Sequence, residues 1–181
     1  MLYPSIRHPP PPYSSGFKTA PNALRISPEI LHFHLSPSSQ RKVTMSNVQN
    51  VVVQNMSFKA GQTLIISGFV VPDSTNFAIN IGNSPEELAL HMNPRFNAHG
   101  DNNTVVCNSY QGGSWCQEHR PDGFPFNYGE EFKVWITFTH EEFKIILPDN
   151  SEIHFPNRPG AEKYNYMLFE GGVRIQGIEI K

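Results

Sequence analysis

The sequence has little of what would indicate a disulfide-stabilised, membrane-spanning or nucleic-acid-binding protein. Only two of its 181 residues are cysteines, Cys107 and Cys116, which argues against a disulfide framework and predicts two free thiols. No apolar run approaches the ~20 residues that a membrane helix requires, so we expect no membrane insertion. Residues 1–44 carry a net charge of +4, which leaves −6 for the rest of the chain. That acidic balance argues against nucleic acid as the ligand.

Helical periodicity is also missing. From residue 48 onward, short runs rich in β-branched and aromatic residues alternate with turn residues. The predicted strands span residues 51–53, 63–71, 76–81, 87–96, 104–110, 131–139, 142–147, 153–155, 164–170 and 173–180. Many strands without helices predict an all-β sandwich or barrel. In residues 131–139 alternate positions are apolar and are predicted to face the core. Trp135 interrupts this alternation, and the pattern does not predict which face of the sheet it occupies.

Residues 1–44 have a different composition from the rest. They hold eight of the 16 prolines, including four in a row at 9–12, and show no sustained period of either a strand or a helix. We therefore predict a disordered Pro-rich extension, and a solvated tail is favoured over a docking peptide for an aromatic groove. No basic segment followed by an apolar core begins at Met1 or Met45, so we expect synthesis in the cytosol.

The polar chemistry is concentrated between His91 and Arg120. His91, Asn93 and Arg95 occur at every second position, so on a strand they share one face while the apolar residues between them occupy the other. Val106 and Asn108 repeat this spacing further along the chain. A wall of hydrogen-bonding side chains is predicted.

An aromatic residue and two charged ones follow this wall. Trp115 can lie against an apolar C–H face, and Glu118 can be clamped between Arg95 and Arg120 with its remaining lone pairs free for a ligand. Alternating hydroxyls and one apolar face are the features of a sugar, so the pattern predicts a neutral, hydroxyl-dense ligand.

The residues of this stretch fit catalysis or metal binding less well than sugar binding. A glycoside hydrolase usually needs two carboxylates about 5–9.5 Å apart, one with a raised pKa, and here only Asp101 could accompany Glu118, which is predicted to face arginines. A metal site would use His91, His99, Asp101 and the cysteines, but their spacing matches no usual zinc or calcium loop. We therefore expect a binding site without metal, cofactor or catalytic residue.

The same stretch resembles the galectin family of β-galactoside-binding lectins. The family pattern H-x-N-P-R, then N-T-V-V-x-N, then W-x-x-E-x-R is met in order, at about ten fixed positions over thirty residues. The resemblance covers residues 45–181, including F-P-F at 124–126 and F-P-N-R at 155–158, and does not extend into residues 1–44. It implies a two-sheet antiparallel jelly-roll sandwich of the galectin and concanavalin-like kind and a single carbohydrate-recognition domain over 45–181.

Site roles follow from the resemblance position by position. The implied carbohydrate-binding residues are His91, Asn93, Arg95, His99, Asp101, Val106, Asn108, Trp115, Glu118 and Arg120. His91, Asn93 and Arg95 would bind the galactose 4-hydroxyl, Asn108 and Glu118 the 6-hydroxyl, and Trp115 the apolar face. Arg95, Glu118 and Arg120 would reach the neighbouring glucose or N-acetylglucosamine, with His99 and Asp101 shaping that side.

The resemblance also implies partners and location. The expected ligands are β-galactoside glycans on glycoproteins or glycolipids, bound without calcium. Terminal strands with alternating apolar residues predict a homodimer that cross-links them. Galectins are exported without a leader, so an extracellular location is expected beside the cytoplasmic one. The alternative is a galectin-fold structural or protein-interaction module with weak or no sugar binding.

Overall fold

A computed structural model describes residues 50–181 of the chain, and these residues form strands and no helix. The predicted extension at 1–44 lies outside the described residues. The eleven strands are β1 Val51–Lys59, β2 Thr63–Val70, β3 Phe77–Ser84, β4 Glu87–Ala98, β5 Asp101–Gln111, β6 Ser114–Trp115, β7 Glu131–Phe138, β8 Glu142–Ile146, β9 Glu152–Pro156, β10 Lys163–Gly171 and β11 Val173–Ile180. In this part of the chain there is no helix long and apolar enough to cross a membrane.

The strands form two antiparallel sheets. The six-stranded sheet has the order β1-β10-β3-β4-β5-β6, and the five-stranded sheet has the order β11-β2-β7-β8-β9. Every neighbouring pair runs antiparallel. The predicted all-β, two-sheet sandwich is confirmed.

The core lies between the sheets and is rich in phenylalanine. On β7 the alternating residues Phe132, Val134, Ile136 and Phe138 are all buried, as predicted. The Phe138 ring stacks on Phe143 at a centroid distance of 5.1 Å and lies equally close to Tyr164. Rings from β7, β8 and β10 thus join the two sheets, and apolar burial of this kind is the main favourable term in folding.

The predicted strands are found, with different ends. Strand β1 extends to Lys59, because a register shift between Gln54 and Phe58 keeps it paired with β10. The predicted strand ended at residue 53 because the residues that follow are polar. The two-residue strand β6 was missed because it is too short to show periodicity. Trp135 lies on the outer face of the five-stranded sheet, partly buried, with Lys133 Nζ 5.2 Å from its ring centroid.

A glycine shapes the connection from β10 to β11 beside the predicted wall. Gly171 has φ +92°, and a Cβ on it would lie 2.7 Å from the backbone oxygen of Asn76. The neighbouring Gly172 N–H donates to the same oxygen at 2.9 Å. Only a residue without a side chain allows this approach, which brings β10 against the start of β3.

Replacing one core residue on β7 should separate packing from surface effects. Ile136 is fully buried, so Ile136→Ala should lower the free energy of unfolding by about 2–5 kcal/mol. Lys133→Ala, on the outer face of the same strand, is the matched control and should change it by less than about 0.5 kcal/mol. Urea unfolding followed by circular dichroism measures both; equal losses would contradict the assigned faces.

Candidate carbohydrate-binding groove

The predicted polar wall forms on β4 and β5. His91, Asn93 and Arg95 face outward while Leu90 and Met92 are fully buried on the other face. In the β4–β5 register, His91 lies opposite Asn108 and Asn93 lies opposite Val106, so the second set extends the first. The alternation read from the sequence therefore places these side chains on one surface.

This polar wall lines a groove of about 780 Å³ on the six-stranded sheet. Eight of the ten predicted site residues line it, namely His91, Asn93, Arg95, His99, Val106, Asn108, Trp115 and Glu118. Asp101 and Arg120 are joined to it through ion pairs. The structure therefore brings all ten predicted residues together.

Arg95 and Asn93 hold each other in place. The Asn93 amide donates to the Phe77 carbonyl at 2.6 Å, and its oxygen accepts from Arg95 Nε at 2.8 Å. Arg95 is only 9% exposed, and its Nη1 donates to Asp101 at 2.7 Å. Because both side chains already have protein partners, their rotamers are set before any ligand arrives.

The ion pairs differ in detail from the predicted clamp on Glu118. Arg120 binds Glu118 at 2.7 Å, but the nearest Arg95 nitrogen is 3.9 Å from it. The carboxylate held between both arginines is Asp101, at 2.7 Å from each. Hydrogen bonds from Arg120 and then Arg95 hold the pKa of Asp101 below its usual range. Glu118 therefore keeps more of its hydrogen-bonding capacity for a ligand.

Trp115 forms an exposed aromatic wall. It is 53% exposed and belongs to β6, which pairs it with Tyr110 on β5. The rings of His91 and Tyr110 lie 4.7 and 5.0 Å from the Trp115 ring, centroid to centroid. The indole is thus supported by two neighbouring rings while much of its surface faces solvent, where a ligand can reach it.

Burial keeps His91 uncharged. Removal from water lowers its pKa from 6.5 to about 4, and the positive charge of Arg95 acts in the same direction. At neutral pH the ring is therefore neutral, so one ring nitrogen carries a hydrogen and the other can accept one.

Arg158 was missed as a functional residue. The Nη1 of Arg158 donates to Asn108 Oδ1 at 3.2 Å and to Ser109 Oγ at 2.9 Å, and its Nη2 donates to the Gln117 carbonyl at 2.6 Å. The Asn108 amide nitrogen donates to the Cys116 carbonyl at 2.9 Å, which leaves its second hydrogen free. The F-P-N-R sequence ending at Arg158 was the available signal, but nothing in it indicates a partner 50 positions away.

The remaining reactive groups give no support for catalysis. Cys107 and Cys116 are free thiols, as predicted, and burial raises the pKa of Cys107 to about 12. The lowered pKa of Asp101 is opposite to what a general acid requires. Within residues 50–181 no three His, Cys, Asp or Glu side chains gather in a way that could hold a metal ion.

Comparison with known proteins shows that the chain is similar to galactoside-binding lectins. The galactoside-binding lectin family model matches residues 47–180. The beta-galactoside-binding lectin of Electrophorus electricus is 61% identical over 135 residues, which is 75% of this chain and 100% of that protein. Among solved structures, galectin-1-L2 of Dario rerio has 70% identity and a TM-score of 0.71, over 72% of this chain and 98% of its own.

Two further solved structures carry informative descriptions. CG-16, described as a homodimeric agglutinin from chicken liver, is 38% identical with a TM-score of 0.71 over 74% of this chain and 100% of its own. Congerin II, solved with lactose and MES bound, is 34% identical with a TM-score of 0.71 over 73% of this chain and 99% of its own.

The neutral state of His91 can be tested directly. Because its pKa is about 4, the His91 ring should remain largely unprotonated when the pH falls from about 7 to 5. Its ring signals in a two-dimensional NMR titration should move by only about a tenth of the full protonation shift over that interval. Titration of His91 with a midpoint above about 6 would contradict the burial assigned to the ring.

Proposed function

The chain belongs to the galactoside-binding lectins, the galectin family, whose members are non-catalytic; from this premise we propose that it binds β-galactosides such as lactose and N-acetyllactosamine in its groove. The observation that carries the proposal is the convergence of His91, Asn93 and Arg95 on one face beside the exposed indole of Trp115. The family match and the lactose bound to congerin II support the same ligand class.

The axial 4-hydroxyl of galactose fits the centre of the wall. Arg95 has only donors, and its Nη2 has no hydrogen-bond partner among the described residues. Neutral His91 offers an acceptor, and Asn93 keeps one amide hydrogen that its bond to Phe77 does not use. A hydroxyl can accept and donate at once, so an axial one at this point satisfies groups on both sides.

The neighbouring groups suit the rest of galactose. Asn108 has one free amide hydrogen, and Glu118 has acceptor lone pairs that the 6-hydroxyl can use. Val106 supplies buried apolar floor, and the C–H face of the ring lies against Trp115. Equatorial orientation at position 4 would turn that hydroxyl away from Arg95, so we expect selection against glucose and mannose.

The arginine end of the groove suits the second sugar. Arg95, Glu118 and Arg120 present charged hydrogen-bonding groups there, and Asp101 fixes both arginines. His99 lines the same side. Because those carboxylates are engaged by guanidinium groups that would repel a cation, we propose binding that does not require calcium.

We further propose that the protein is a homodimer that cross-links glycoconjugates. The supporting observation is that β1 and β11 are both edge strands, and Val52 on β1 is 41% exposed. An apolar edge strand is a liability unless a partner covers it. The homodimeric state of CG-16 supports the same assembly. Two sites per dimer would raise avidity on a multivalent surface.

We propose that the protein is synthesised in the cytosol and is exported by a route that bypasses the endoplasmic reticulum. The two free thiols, one of them in the groove lining, suit a reducing compartment. Secretion from cells should therefore continue when transport from the endoplasmic reticulum is blocked, and arrest by that block would contradict this location.

The chain provides a matched test of sugar binding in its two tryptophans. Trp115→Ala should abolish retention on lactose-agarose, with an affinity loss of at least about 2 kcal/mol, or roughly thirtyfold. Trp135→Ala, on the outer face of the other sheet, should be retained like the wild type. Both variants should keep the wild-type circular dichroism spectrum. Unchanged retention of Trp115→Ala would favour a protein-interaction module over a lectin.

The dimer is tested at its exposed edge. Sedimentation equilibrium should show a dimer at tens of micromolar for the wild type, and Val52→Asp should shift the equilibrium toward monomer because a charge would be buried at the interface. Lactose affinity per site should not change in this variant. A wild-type monomer at that concentration would refute the proposed assembly.

A further inference from the structure

A row of hydrogen bonds crosses three adjacent strands beside the groove. Asn80 on β3 lies opposite Leu168 of β10 on one side and opposite His91 of β4 on the other. Its amide nitrogen donates to the Leu168 carbonyl at 3.1 Å and to Glu170 Oε1 at 3.0 Å. Its amide oxygen lies 2.6 Å from His91 Nδ1. Asn80 is 1% exposed, so water does not compete for these bonds.

The direction of this row follows from chemistry alone. A backbone carbonyl and a carboxylate can only accept, so the Asn80 atom facing Leu168 and Glu170 must be the NH₂ group. The amide cannot be reversed without placing its oxygen against two other oxygens. Its carbonyl therefore faces His91, and because a carbonyl also only accepts, His91 Nδ1 must carry the hydrogen and donate it.

The other nitrogen of His91 is then defined as well. The neutral ring has a single hydrogen, and Asn80 places it on Nδ1, so Nε2 has a lone pair. With Nδ1 turned to β3, Nε2 is the nitrogen left for the groove that His91 lines. Arg95 nearby can only donate. The site thus presents a fixed acceptor and a fixed donor.

We propose that Asn80, anchored by Leu168 and Glu170, is a positioning residue that fixes the His91 tautomer and so restricts the site to a ligand group that donates to Nε2 while accepting from Arg95. This inference rests on the proposed function of the same groove. It distinguishes a hydroxyl from an ether oxygen or a fluorine, which can only accept. A galactoside whose 4-hydroxyl is replaced by fluorine should therefore bind poorly despite its similar shape.

The tautomer is measurable in the ligand-free protein. In long-range ¹H–¹⁵N spectra of the wild type, His91 Nδ1 should have the shift of a protonated ring nitrogen and Nε2 that of an unprotonated one. Asn80→Leu removes the acceptor and should shift the ring toward the Nε2–H form. Asn83→Leu, on the same strand but paired with Glu87 at the surface, is the control and should match the wild type.

Binding provides the second readout. By calorimetry the wild type should bind lactose roughly tenfold or more tightly than its 4-deoxy-4-fluoro galactose analogue, which is the loss of about one hydrogen bond. The Asn80→Leu variant should bind lactose roughly tenfold more weakly than the wild type and should lose most of the discrimination against the fluorinated analogue. The Asn83→Leu variant should keep the wild-type affinity and the wild-type discrimination.

The outcomes separate the two proposals. Wild-type protein that does not bind lactose overturns the proposed function, whatever the tautomer. Wild-type protein that binds lactose but has a hydrogen on Nε2, or binds the fluorinated analogue equally well, overturns the positioning role of Asn80. The wild-type spectrum is informative even if Asn80→Leu fails to fold, because it needs no variant.

Discussion

The groove depends on one nearly buried arginine. Arg95 donates to Asn93 and to Asp101, and Asp101 in turn binds Arg120, which holds Glu118. Burying a guanidinium is costly unless its hydrogen bonds are satisfied, so the order of the surrounding side chains is tied to that of Arg95. Residues from β4, from the start of β5 and from the segment after β6 become one rigid polar surface. A ligand then meets groups that need little further ordering.

The sandwich supplies the rigidity that this surface requires. Buried phenylalanines from both sheets fix β3, β4, β5 and β10 from below, while the outer faces of the same strands supply the polar groups. Two side chains outside the predicted set complete the support. Arg158 holds Asn108 from one direction, and Asn80 holds His91 from the other. The specificity we propose thus comes from neighbours of the site as much as from the site itself.

Local pattern predicted an all-β sandwich or barrel and the polar wall, and the resemblance to galectins supplied the two-sheet arrangement and the full set of groove residues. A period of two places His91, Asn93 and Arg95 together whatever the details of pairing. The motif added Trp115, Glu118 and Arg120. Partners distant along the chain could not be predicted, since the register of β3 with β4 and β10 decides that Asn80 meets His91 and Glu170. The same limit explains why the position of Asp101 between the two arginines, in place of Glu118, could not be predicted.

The account is tested most directly by a crystal structure of the protein with lactose bound. We expect the galactose ring to lie against Trp115 with its axial 4-hydroxyl within hydrogen-bond distance of His91, Asn93 and Arg95, and the glucose to lie toward Arg120. Electron density for the disaccharide elsewhere, or a galactose ring that does not contact the indole, would contradict the account.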